Sequence, residues 1–133
     1  MLKYSFTKAN FLSNFVSPDV TGRIKPNQIL DLVTDKTLLV SMMHVNSETG
    51  IIQPIEEIGE ALAETKTYFH IDATQGFGKL NVSLRRAKYN MMSITAHKLG
   101  GPQGIGALIL RRDKIKNLIG FYAACYIRRN KIT

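Results

Sequence analysis

The chain has 133 residues and a hydrophobic fraction of 44%, enough for at most one domain with an ordinary core. Of its net charge of +8, residues 111–133 carry +6, from seven Lys/Arg against Asp113, so the patterned body is close to neutral and nucleic acid is not directly indicated as a partner. No apolar run reaches membrane-spanning length, the N-terminus lacks a signal-peptide apolar region, and the single Cys125 excludes an internal disulfide and any multi-cysteine metal site, so a cytoplasmic protein without a membrane partner is expected.

In chain order, residues 1–16 show no clear period. Val16–Gly22 reads as a short extended piece ending in a turn, broken by Pro18 and Gly22. Pro26–Val33 has helical spacing at Ile29, Leu30 and Val33, with Pro26 in the first turn. Thr37–His44 is apolar and continuous, the pattern of a strand buried on both faces, and Asn46–Gly50 is a loop. Pro54–Thr65 predicts an amphipathic helix, with Glu56 and Glu57 in its first turn and Ile55, Ile58 and Leu62 on one face. Thr67–Ile71, Asn90–Thr95 and Ile105–Arg111 read as three further strands. Strands alternating with helices predict an α/β fold, a mostly parallel sheet with flanking helices.

In such sheets a ligand sits outside the carboxyl ends of the strands. The polar residues worth singling out fall there. Asn46 follows the first strand, Asp72 and Gln75 the second, and Thr95, His97 and Lys98 the third. Lys98 ends Ser93-Ile94-Thr95-Ala96-His97-Lys98 and leads into Leu99-Gly100-Gly101-Pro102-Gln103-Gly104-Ile105-Gly106. A lysine held in a fixed place beside phosphate-binding groups suits covalent attachment to pyridoxal phosphate, provided burial or nearby cations keep it neutral part of the time. Thr95 and His97 would donate to the phosphate. Asp72 would pair with the pyridine nitrogen, and Gln75 with the ring oxygen. Asn46 would contact that oxygen or a substrate carboxylate. Each has a plainer reading when taken alone: Lys98 a surface lysine, His97 a structural histidine, Asp72 a cap or turn residue, Asn46 a turn. No metal spacing links His44 and His70, and both read as structural. The four glycines after Lys98 precede a strand and lack the dinucleotide and phosphate-loop patterns. They let the chain turn tightly and return into the sheet.

From about Val16 to Gly120 the sequence resembles the central part of the large domain of the cysteine desulfurases, pyridoxal-phosphate enzymes of the class-V aminotransferase group. The matching text runs from Leu39 through Ser41-Met42-Met43-His44-Val45-Asn46-Ser47-Glu48-Thr49-Gly50 to Ile55, then Phe69-His70-Ile71-Asp72-Ala73-Thr74-Gln75-Gly76, then Met92 through Lys98 to Leu108. The resemblance implies part of the large domain of a fold-type-I enzyme. It implies pyridoxal 5'-phosphate as cofactor and L-cysteine as substrate, a homodimer, and a sulfur-acceptor protein that the sequence does not identify. It also implies Lys98 as the covalent and catalytic lysine, and Asn46, Asp72, Gln75, Thr95 and His97 as cofactor ligands. Ile52–Ile58 and Gly76–Lys79 look like the branch that supplies sulfur for DNA phosphorothioation.

The departures matter too. Residues 1–15 and 121–133 do not match the family. The helix start and ring-stacking histidine that family members carry upstream are missing, as is the mobile loop with the catalytic cysteine downstream. Cys125 lies too close to Lys98 to take that place, and its neighbours do not resemble the loop. A single partial cofactor-binding domain over residues 1–133, a truncated form inactive by itself, is therefore expected. Two alternatives stand beside it: a non-catalytic binding or scaffold remnant, and another class-V enzyme such as a selenocysteine lyase or aminotransferase.

Overall fold

In the computed structural model, residues 12–80 and 86–111 are described. A short helix α1 (Pro26–Leu30) is followed by β1 (Leu39–Met43), α2 (Ile55–Leu62), β2 (Tyr68–Asp72), β3 (Met91–Thr95), a 3-10 turn (Ala96–Leu99) and β4 (Gly106–Leu110). The four strands form one sheet in the order β1-β2-β3-β4. The first two pairings are parallel, as the strand–helix alternation predicts. β4 returns antiparallel to β3, because the glycine-rich turn after Lys98 is too short for a crossover helix. Gly100 and Gly104 take φ of 80° and 82° there, a region that favours glycine.

The core lies on one face of the sheet. The fully buried Phe69, Ile71 and Met92 meet Ile55, Ile58 and Leu62 of α2, with Ile29 of α1 at the margin. Alternation along β2 places Phe69 and Ile71 on this face and Tyr68, His70 and Asp72 on the other. β1 follows the same rule and is not buried on both faces as its continuous apolar run predicts. Val40 and Met42 turn inward, whereas Leu39 and Met43 stay 45% and 44% exposed, because no described element covers the second face.

Two close approaches fix how the layers meet. Gly59 of α2 lies against the Lys88 backbone, where a Cβ would stand 2.4 Å from the carbonyl oxygen. The buried Gln53 ties the extended N-terminal piece to the start of α2: its Oε1 accepts from Ile24 N–H at 2.9 Å, and its Nε2 donates to the Gly22 carbonyl at 2.9 Å. At the sheet's far end, Asn90 Oδ1 accepts from Phe69 N–H at 2.7 Å, and the Arg111 guanidinium lies 5.7 Å from the Tyr89 ring centre. Among the described residues, no helix is long and apolar enough to cross a membrane.

Candidate cofactor site

Strand register builds the site. Met43, Asp72 and Ser93 stand level across β1, β2 and β3, so the three strands approach their carboxyl ends side by side. Adjacent strands lie about 4.8 Å apart, so the front is roughly 10 Å wide. Asn46 lies three residues beyond this level on the first strand's exit and Gln75 three beyond it on the second. Thr95 ends β3, and His97 and Lys98 occupy the 3-10 turn that follows it. The fold thus brings all six candidate residues to one edge of the sheet.

Each is held by local bonding. Asn46 Oδ1 accepts from the backbone N–H groups of Glu48 and Thr49 at 2.9 and 3.0 Å. That fixes the amide's orientation and leaves Nδ2 as its donor end. Asp72 Oδ1 accepts from Thr74 N–H at 3.0 Å, so the aspartate is both a strand end and the start of a turn. Its second oxygen has no hydrogen-bond partner among the described residues. The turn continues through Ala73, whose carbonyl accepts from Gly76 and Phe77 N–H at 3.1 and 2.8 Å, and it carries the half-buried Gln75.

Thr95 Oγ1 lies 2.9 Å from His97 Nδ1 and 3.3 Å from the Ile105 carbonyl. With the hydroxyl proton directed to Nδ1, His97 carries its own proton on Nε2, which faces away from Thr95 as a donor. The 3-10 turn closes on Gly100, whose N–H, like that of Gly101, donates to the Ala96 carbonyl. His97, Lys98 and Leu99 are all exposed, so the described residues do not supply the burial expected around Lys98.

One contact beneath the site escaped the sequence reading. His44 is buried at the end of β1, its N–H donating to the Asp72 carbonyl at 2.8 Å. Its ring lies against Gly76, where a Cβ would come within 2.3 Å of Nδ1. Burial holds His44 below its ordinary pKa, outweighing the opposing charge of Glu56, so it packs as a neutral ring. A glycine four residues past Asp72, in the turn that follows β2, is the sequence signal for this wedge. No group of three or more His, Cys, Asp or Glu suited to a metal is found among the described residues.

A sequence profile described as Aminotransferase class-V matches residues 8–127. The chain belongs to the class-V aminotransferase family, a pyridoxal-phosphate-dependent group. Within it, the chain is 45% identical over 105 residues to the cysteine desulfurase IscS of Colwellia psychrerythraea, a match covering 79% of this chain and 26% of that protein. It resembles the crystal structure of DndA from Streptomyces lividans with a TM-score of 0.67 at 44% identity, over 74% of this chain and 27% of that one. It also resembles a structure of SspA in complex with cysteine, with a TM-score of 0.71 at 37% identity, over 80% of this chain and 31% of that one. The chain thus spans about a quarter of the length of the curated relatives it matches.

The donor set fits a pyridoxal phosphate. A carboxylate oxygen stands ready for a protonated ring nitrogen, amide donors for the ring oxygen, a hydroxyl–imidazole pair for the phosphate, and a primary amine for the aldehyde.

Proposed function

We propose that this chain is the cofactor-holding part of a cysteine desulfurase, which releases sulfur from L-cysteine. One observation carries the reading: Asn46, Asp72–Gln75 and Thr95–Lys98 leave the carboxyl ends of three adjacent, level parallel strands. The names of the relatives and the cysteine in the SspA structure support the substrate assignment.

When bound, the cofactor withdraws electrons from the substrate Cα. Asp72 would pair with the protonated ring nitrogen, and Gln75 and the Nδ2 of Asn46 would orient the ring oxygen and the substrate. Thr95 and His97 would hold the phosphate. Lys98 would be the attachment amine and the group that carries the substrate's α-proton. A thiolate on a mobile arm must then take the sulfur, because the thiolate is the attacking species. The only cysteine of the sequence, Cys125, lies outside the described residues and 27 positions past Lys98, so we assign that step to a different cysteine. The 133-residue chain by itself then yields no alanine and no sulfide from cysteine.

A homodimer, a separate sulfur-acceptor protein and a cytoplasmic location belong to the same proposal, as does the DNA-phosphorothioation branch suggested by Ile52–Ile58 and Gly76–Lys79. A non-catalytic scaffold remnant is the reading to beat. Absorbance separates the two: the chain incubated with pyridoxal phosphate should develop a visible band that Lys98→Ala lacks. A chain that binds no cofactor under these conditions is a scaffold.

A further inference from the structure

On the open face of the sheet, one pleat below Asp72, the His70 ring spans two strands. Its Nδ1 lies 2.8 Å from Ser41 Oγ of β1, and its Nε2 lies 3.2 Å from Ser93 Oγ of β3. We propose that His70 is a positioning residue for Asp72: by holding Ser41 and Ser93 at once it locks the three parallel strands beneath that carboxylate and sets where it stands. The proposal rests on the reading of Asp72 as the ring-nitrogen partner.

Register makes the link direct. Ser41 pairs with His70 and Ser93 pairs with Asp72, while His70 and Asp72 are two residues apart on the same face. Ser93 is therefore the lateral neighbour of the carboxylate and the hydrogen-bond partner of the histidine below it. A ring anchored through both nitrogens from opposite sides has neither rotation nor tilt left to it. A hydrogen-bonded row across three strands favours one register among them, because a slip separates the partners.

The protonation state fits the role. The ionisable groups that the strands bring to this face are Asp72 and Tyr68 on β2, while β1, β3 and β4 contribute Leu39, Ser41, Met43, Met91, Ser93, Thr95, Leu108 and Leu110. Burial lowers the pKa of His70, and the Asp72 charge opposes that without overcoming it. A neutral ring donates to one serine and accepts from the other, leaving the charge of Asp72 for a cationic partner above it. An imidazolium here would compete for that charge.

The test needs no cofactor. Proton NMR of the full chain should show His70 titrating below the ordinary histidine value, and lower still in Asp72→Asn. An unchanged midpoint in Asp72→Asn, or a parent His70 that titrates like a histidine in an unstructured peptide, overturns the proposal. Hydrogen exchange supplies the second reading. In Ser41→Ala/Ser93→Ala, exchange of the Thr74 amide, whose bond is to Asp72 Oδ1, should accelerate about tenfold, the loss of roughly one hydrogen bond, while Phe69 and Ile71 amides keep their protection. Equal acceleration at all three marks general loosening and overturns the positioning role. Loss of the pyridoxal phosphate adduct at Lys98 is a separate failure, of the cofactor reading alone.

Discussion

Asn46 and Asp72 each commit one side-chain oxygen to a local turn and present the rest of the side chain at the strand ends. The plain reading of each as a turn residue is met by this geometry, and the rest of each side chain stays available for the proposed cofactor role. Their positions were legible because motif spacing survives without knowledge of the fold. The contacts beneath them were not, because the His44–Gly76 wedge and the Ser41–His70–Ser93 row exist only once strand register is set. The wedge makes a sharp prediction. Gly76→Ala pushes a methyl into the His44 ring in a buried setting, and overpacking of this kind costs about 1–3 kcal/mol. Urea denaturation should show that loss, and it should shrink in a His44→Ala background because the two sites are in contact. Equal losses in both backgrounds would place the strain elsewhere.

At the scale of elements, periodicity located both helices and all four strands, with ends displaced by one to three residues where caps and turns decide. The Pro26–Val33 reading contracts to Pro26–Leu30, and Pro54–Thr65 to Ile55–Leu62. Two features of the sheet were not legible. The direction of β4 depends on how few residues join it to the 3-10 turn, and the exposed face of β1 depends on what else packs there. Gly59 shows the same limit. In sequence it is a helix-interior glycine, worth about 1 kcal/mol less than alanine. In the fold its missing side chain lets α2 touch the Lys88 carbonyl. Gly59→Ala should therefore destabilise despite the better propensity, by up to about 2 kcal/mol once an overpacking cost of roughly 1–3 kcal/mol is offset. A stabilised variant would mean that α2 can move off the loop. Gln53→Leu should cost about 1 kcal/mol, because it leaves a part-buried carbonyl and N–H, from Gly22 and Ile24, without their side-chain partner. A melting temperature unchanged from the parent would show that the N-terminal piece is not tied down through Gln53.

For the whole molecule, α/β composition and the clustering of motifs at one sheet edge were legible, while a core confined to one sheet face was not. Leu39, Met43 and Leu108 remain more than two-fifths exposed on the other face among the described residues. Stability should also fall with acid. Burial depresses His44 and His70 below the ordinary value of 6.5, so as pH drops past that point the unfolded chain takes up protons that the folded chain refuses. Their contribution is complete above about pH 6.5 and is lost as pH falls through the lower folded values. Urea midpoints compared at neutral and mildly acidic pH should fall, and His44→Gln with His70→Gln should flatten the slope. A midpoint that rises on acidification contradicts neutral burial of the two rings.

The six residues at this sheet edge are proposed to form a pyridoxal phosphate site with Lys98 as its covalent anchor. Borohydride trapping of the chain with pyridoxal phosphate, followed by proteolytic mapping of the adduct, tests it most directly. A single dominant adduct should form on Lys98, lost in Lys98→Ala and weakened in Asp72→Asn. Labelling spread over the other lysines at similar levels, or unchanged in Lys98→Ala, would contradict it.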